Sequence, residues 1–480
     1  MLFSLYKWIF VCLLFLSIFS SSCSGDGIQD QPNILLIFVD DLGKEWVSAY
    51  GADDIETPHI DQLAETGLMF KNFYVNPQCT PSRMSLFTGQ YPFRHGWVNH
   101  WDVPRWGGGA HYDWNVNPGL GRAMHEAGYK TASVGKWQVN DFRVQPDAMK
   151  NHGFDDWCMW TGFEAGNPSS GERYWDPYLH TREGSRTYEG DFGEDVFTDF
   201  LISFMEENKD DPMFLYYAMC LTHTPFVATP AEPDATEKYA RHKAMVRYMD
   251  LQVGKLVKSL DDLGLRENTI IVFTTDNGTT RSITGSLNGR KVKGGKARMT
   301  ESGTAVPFIV NCPSMVPMGE TTDALGDITD ILPTFTELGQ ADLTEIYTFD
   351  GASFADLLLS NSKDSKRDWI MSMGGGNNAA LSEKGVENQY RFRDRVLRDK
   401  EYKLYVSTDR KPEQLYDLKN DPYETQNLVT SKDPEIQQII QKLWKVVETF
   451  PEVDSDPQYI PLGPQAWDVE VTVESQKWKK

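Results

Sequence analysis

One short stretch of this chain sets a nucleophile and a cation at a spacing that could do chemistry. In FYVNPQCTPSRMSLFTG (residues 73–89), Cys79 stands ahead of a segment with helical spacing and Arg83 follows four residues on. The pattern predicts a short amphipathic helix beginning near Pro81, anchored by Met84, Leu86 and Phe87. Proline suits a first helical turn, where its missing N–H costs nothing. Cys79 then lies near a helix N-terminus, where unpaired N–H groups and the helix dipole favour negative charge. Arg83 projects from nearly the same face. Both side chains point toward one anion. A buried cysteine ahead of a helix is the plainer alternative.

Two pairs of oxygen donors end two apolar runs. NILLIFV (residues 33–39) reads as a buried parallel strand bounded by Pro32 and by Asp40-Asp41. NTIIVFTTDNG (residues 268–278) is the second such run and ends in Asp276-Asn277-Gly278. Open α/β sheets place their ligands at the carboxyl ends of strands. Burying adjacent carboxylates without a partner is costly, and a divalent cation resolves that cost. Asp40, Asp41, Asp276 and Asn277 offer only oxygen, which selects calcium or magnesium over zinc. For Asp40-Asp41 alone, a solvated turn is the alternative.

The remaining elements position these groups. A helix is expected from Pro58 to Glu65, then a strand over residues 68–75 into the nucleophile turn. Residues 118–130 read as a helix stopped by Gly128, followed by a strand that ends at Lys136. MFLYYAMCL (residues 213–221) reads as a buried strand delivering His223-Thr224-Pro225. Helices are expected over residues 194–208, 240–260, 327–340 and 433–450, with short alternating strands over residues 365–417.

Two segments look outward. Residues 90–116 hold His95, His100, Trp101, Arg105, Trp106, His111 and Trp114 around a triple-glycine break. Aromatic faces pack against sugar CH groups and the cations meet sulfates, so a carbohydrate surface is one reading. A loop stapled by its own aromatics is the other. Residues 166–190 are polar, aromatic and turn-rich, and Arg173, His180 and Arg182 are expected there to read polymer charge.

Cys79-Thr80-Pro81-Ser82-Arg83 resembles the Cys-x-Pro-Ser-Arg signature of type I sulfatases, in the alkaline phosphatase superfamily. The resemblance runs from about Pro32 to Leu428. It takes in Asp40-Asp41-Leu42-Gly43, GYKTASVGKW ending around Lys136, His223-Thr224-Pro225, GGKARMTESG around Lys296, and LYDLKNDPYETQNL. The fold it implies is α/β: a large mixed β-sheet sandwiched by helices, with a smaller C-terminal antiparallel sheet packed by a helix. The divisions implied are residues 30–350 (catalytic), 351–450 (C-terminal subdomain) and 451–480 (tail). The resemblance also implies that a maturation enzyme converts Cys79 to Cα-formylglycine, whose hydrated form is the nucleophile. It implies calcium held by Asp40, Asp41, Asp276 and Asn277 with residue 79. Arg83, Lys136, His223 and Lys296 would contact the sulfate. The family continues Gly-Lys-Trp-His where this chain has Gln138. Glutamine cannot act as a base near neutral pH. The departure bears on release of the covalent sulfate more than on its transfer. Arg143 and His152, close in sequence, are candidates to stand in.

Residues 1–22 carry one charged side chain, Lys7, in an apolar stretch that reads as an export signal. Cys23 at its end is a candidate for lipid attachment, and a retained membrane anchor is the alternative. A periplasmic or outer-membrane protein, or a secreted one, is expected. The net charge of −22 argues against a nucleic-acid partner and requires any polyanion site to be locally basic. With Cys12 and Cys23 in the leader and Cys79 modified, Cys158, Cys220 and Cys312 remain, which excludes a disulfide framework beyond one bridge. The function expected is hydrolysis of sulfate esters on a sulfated carbohydrate, a polysaccharide or its oligosaccharides. A phosphodiesterase or phosphonate monoester hydrolase, an aryl or choline sulfatase, and a glycan-binding lipoprotein are the competing readings.

Overall fold

The computed structural model describes residues 31–98, 112–160, 173–342, 348–374, 379–382, 385–388, 390–457 and 460. The leader, Cys23, His100, Arg105, His111 and most of the tail lie outside the described residues.

Eighteen strands follow one another in these residues. They are β1 (Asn33–Val39), β2 (Leu68–Tyr74), β3 (Lys130–Lys136), β4 (Asp156–Trp160), β5 (Tyr178–Thr181), β6 (Gly184–Thr187), β7 (Met213–Ala218) and β8 (Thr269–Thr275). Then come the hairpin β9 (Thr284–Leu287) and β10 (Arg290–Lys293), β11 (Ile309–Asn311), β12 (Glu320–Asp327), β13 (Ile370–Met373), β14 (Ala379–Ser382), β15 (Gly385–Asn388), β16 (Arg395–Arg398), β17 (Tyr402–Val406) and β18 (Pro412–Asp417). Ten of them form one mixed sheet in the order β12-β2-β11-β8-β1-β7-β3-β4-β5-β6. β1 lies at its heart, parallel to both β7 and β8.

The continuous apolar character of β1 has a direct cause. Side chains alternate between faces along a strand. Ile34, Leu36 and Phe38 enter one core, with Met84, Leu120 and Ile331 from three helices. Leu35, Ile37 and Val39 enter the opposite core, with Ile60, Leu201 and Met245 from three others. A strand buried on both faces has no polar side to show.

The helix carrying the nucleophile position runs Cys79–Thr88, so it starts two residues earlier than expected. Pro81 is its third residue and still lies within the first turn, whose N–H groups have no helical partner. All ten residues are buried, so the helix is a core element and not an amphipathic one. Cys79, Cys158, Cys220 and Cys312 are buried and unbridged.

β13, β16, β17 and β18 form a four-stranded antiparallel sheet, in that order. The helix Pro434–Glu448 lays Leu443 and Val447 against Leu397, Leu404 and Leu415 of that sheet. The small sheet grips a loop of the large domain. Lys403 Nζ lies 3.0 Å from both Glu301 and Glu424. Arg398 donates to Glu301 at 3.0 Å and to Asn72 at 2.8 Å. Tyr405 Oη donates to the Met299 carbonyl at 3.1 Å, and Glu424 accepts the Glu301 N–H at 2.8 Å.

Candidate active site

The site forms where β1, β3, β7 and β8 end. Backbone pairing continues past the strands: Asp276 N–H donates to Val39 O at 3.0 Å and Asp40 N–H to Leu221 O at 2.9 Å. The two acidic turns are therefore held in register by the sheet. Gly135 has φ of 90°, and a Cβ there would sit 2.0 Å from the Ala218 carbonyl oxygen. Only glycine lets β3 finish this close to β7 and present Lys136.

Three cations each meet one carboxylate. Lys136 Nζ lies 2.6 Å from Asp40 Oδ2, Lys296 Nζ 2.6 Å from Asp41 Oδ1, and Arg83 Nη2 2.8 Å from Asp276 Oδ2. Arg83 Nη1 also donates to Lys136 O at 3.0 Å and to Tyr216 Oη at 3.3 Å. Burial would raise the Asp40 carboxyl, but Lys136, His223, Lys296 and Arg83 together hold it well below the usual carboxylate range. Cys79 Sγ lies 3.5 Å from Asp40 Oδ1. Burial, reinforced by the Asp276 charge, pushes its thiol up to about 12. An unmodified Cys79 is thus a neutral, unreactive thiol at neutral pH.

His223 sits 3.8 Å from Asp41 Oδ2 through Nε2. Its Nδ1 is 2.6 Å from the Thr224 carbonyl, which fixes the proton on Nδ1. Burial, with Lys296 adding to it, lowers the imidazole to about 4.

One atom each from Asp40, Asp41, Cys79 and His223 gathers within 4.8 Å of the others. Asn277 donates its amide to Asp41 Oδ1 at 2.8 Å, while its own Oδ1 is buried without a partner. Adjacent buried carboxylates and an orphaned amide oxygen fit a hard cation. Asp276 stands beside them, with Oδ2 on Arg83 at 2.8 Å and Oδ1 accepting the Asp41 N–H at 3.2 Å.

Gln138 follows Lys136 by two residues, with φ of 69° and a buried Oε1 that has no partner. Arg173 reaches the site, its Nη1 3.3 Å from His223 Nδ1. Arg143 is turned onto Asp141 at 2.7 Å. The expectation that His152 and His180 face substrate or stand in as a base is corrected by their burial. His152 is enclosed by Tyr112, Trp114 and Trp137 and bonds Asn140 at 2.9 Å. Burial takes its imidazole down to about 3. His180 stacks on Phe142 and bonds Ser185 at 2.9 Å. Three supporting residues escaped the sequence reading. Tyr216 was hidden in an apolar run, although a lone hydroxyl in a buried strand is itself a signal. Glu194 accepts the N–H groups of Cys220 and Leu221, at 2.9 and 3.0 Å, and so shapes the turn before His223. Glu301 anchors the Lys296 loop to the small sheet.

The chain is similar to known proteins over much of its length. The family described as Sulfatase matches residues 32–341, and the one described as N-sulphoglucosamine sulphohydrolase, C-terminal, matches residues 295–452. An arylsulfatase of Hemicentrotus pulcherrimus is 32% identical over 356 residues, covering 69% of this chain and 62% of that protein. The match thus spans less than two thirds of that relative's own length. An N-acetylgalactosamine-6-O-sulfatase of Bacteroides thetaiotaomicron is 29% identical over 494 residues, covering 88% of this chain and 94% of that protein. The crystal structure of Ps i-CgsB in complex with k-i-k-neocarrahexaose superposes with a TM-score of 0.73 at 25% identity, over 90% of this chain and 95% of that one. With its strand-end carboxylates, their paired cations and a family match over most of its length, the chain belongs to the sulfatases, a family of sulfuric ester hydrolases.

Proposed function

We propose that this protein removes sulfate from a sulfated carbohydrate, a polysaccharide or its oligosaccharides, outside the cytoplasm. The observation that carries the reading is the convergence of Arg83, Lys136 and Lys296 around Cys79, each cation fixed by its own carboxylate. The carbohydrate-directed relative and the oligosaccharide complex support the substrate class. Residues 1–22 and Cys23 support export and a lipid anchor.

When converted to formylglycine by a maturation enzyme, residue 79 supplies a gem-diol hydroxyl as the attacking nucleophile. Calcium, when bound by Asp40, Asp41, Asp276 and Asn277, supplies further positive charge for the sulfate oxygens. Arg83, Lys136 and Lys296 orient the sulfate and neutralise charge as it builds on those oxygens. They are already in place before reaction, so no reorganisation is needed, and removing one such donor costs about 3–4 kcal/mol of transition-state stabilisation. Lys296 holds its proton firmly: burial opposes the charge, but Asp41 and the other acidic groups outweigh it. Lys296 Nζ is the proton-carrying group available to the departing oxygen, while the neutral His223 ring, its proton held on Nδ1 toward Thr224 O, offers Nε2 as an acceptor.

The test is released sulfate from mature enzyme offered algal and animal sulfated glycans, with aryl sulfate and phosphodiester controls. Peptide mass spectrometry should show Cys79 converted, and Cys79→Ser should fold yet lose at least roughly a thousandfold in rate. Full activity with an unmodified Cys79 would sink the mechanism. Turnover confined to aryl sulfates, or a preference for phosphodiesters, would sink the substrate assignment.

A further inference from the structure

Among the described residues, every Lys and Arg at the centre of the site has a carboxylate except one. Lys136, Lys296 and Arg83 are paired with Asp40, Asp41 and Asp276. Arg173 has no carboxylate within ion-pair distance among the described residues, and its Nε is buried without a hydrogen-bond partner. Among the described residues, its hydrogen-bonding neighbour is His223 Nδ1, at 3.3 Å. That nitrogen already spends its proton on Thr224 O at 2.6 Å.

The guanidinium is also held still. It stacks on Trp160, 4.1 Å from the ring centroid. The next residue, Tyr174, donates its hydroxyl toward Cys220 O at 2.8 Å and His223 O at 2.6 Å. Trp175 Nε1 donates to Ala228 O at 2.9 Å. Arg173 is thus locked to the same turn that carries His223. The imidazole lies between it and the carboxylate cluster: Nε2 faces Asp41 at 3.8 Å, and Nδ1 faces Arg173. A rigid guanidinium with no counter-charge among the described residues, in a protein of net charge −22, is built to receive an anion from outside.

We infer that Arg173 is a specificity-determining residue that binds a second anionic group of the substrate, a carboxylate or another sulfate, one imidazole width from the ester being cleaved. This rests on the sulfated-carbohydrate reading above and narrows it to substrates with two neighbouring negative charges.

Equilibrium binding to the full chain carrying Cys79→Ser tests the inference without turnover. The probes are N-acetylgalactosamine-6-sulfate, its disulfated counterpart and the chondroitin disaccharide that adds a uronate, with mono- and disulfated neocarrabiose alongside. At least one doubly charged probe should bind roughly ten- to hundredfold tighter than its singly charged partner. Arg173→Gln should erase that gap, and which probe shows it identifies the anion as carboxylate or sulfate. Arg173→Met, which keeps the stack on Trp160, replaces it if the glutamine variant does not fold. No gap in any pair, or a gap that survives loss of Arg173, overturns the inference; equal weakening of every probe does so too, because it marks Arg173 as a mere support for His223. Released sulfate from the same probes with Cys79 intact is scored separately, so failure of the hydrolase reading shows there and not in the binding gap.

Discussion

Cys79 is quiet in its unmodified form, with a buried, neutral thiol held beside Asp40. All the preparation for chemistry lies in its neighbours. Gln138 is the residue at which this chain departs from the pattern it otherwise follows, and its buried, unpartnered Oε1 leaves an unfilled hydrogen-bonding position two residues from Lys136. Gln138→His is expected to introduce a titration near the ordinary histidine range, about pH 6.5. It should also raise the rate of release of the covalent sulfate roughly tenfold or more. Pre-steady-state kinetics across pH would check this, and a variant with neither effect would show that the position carries no proton traffic. Charged residues at strand ends were readable because few structures excuse them. His152 and His180 were not, because a histidine among aromatics looks alike in a cage and in a cleft.

At the scale of elements, the helix Pro58–Glu65 receives its cap from another part of the chain. Thr57 provides no side-chain cap. Asp250, on the long helix Lys238–Asp262, accepts the N–H groups of Ile60 at 2.9 Å and His59 at 3.2 Å. Asp250→Ala is expected to cost about 1–2 kcal/mol, measured by denaturant unfolding. Burial pushes the Asp250 carboxyl up to about 6. The folded state therefore keeps a proton that the unfolded chain releases near pH 4. Stability from this group is present below that pH and is lost as pH rises through 6. Asp250→Asn cannot ionise and should flatten that part of the stability curve; an unchanged curve would contradict the assignment. Strands and long helices could be read in advance because their periodicity is local. A cap from a residue about 190 positions away cannot be, and neither could the full burial of Cys79–Thr88, which local spacing presents as one-sided.

For the molecule as a whole, a cation held by the carboxylates at the strand ends would couple metal binding to stability. A cation that binds only the folded chain stabilises it by about 2.7 kcal/mol at a hundred times its dissociation constant. Dialysis against a calcium chelator should lower the melting temperature, and calcium should restore it. An unchanged melting temperature, with no calcium or magnesium by elemental analysis, would count against the metal assignment.

The grip of the small sheet on the Lys296 loop also has a consequence for the order of biosynthesis. Glu301 and Met299 are held by Arg398, Lys403, Tyr405 and Glu424, all encoded long after the residues they support. Cys79 and Glu424 are 345 positions apart (424 − 79). At about 5–20 residues per second, a ribosome needs roughly 20–70 s to cover that distance. Until that interval ends, the loop that carries Lys296 lacks its full set of anchors. If Cys79 is converted as proposed above, a maturation enzyme would have that interval in which to reach the side chain, and shortening the chain at its far end would lengthen it.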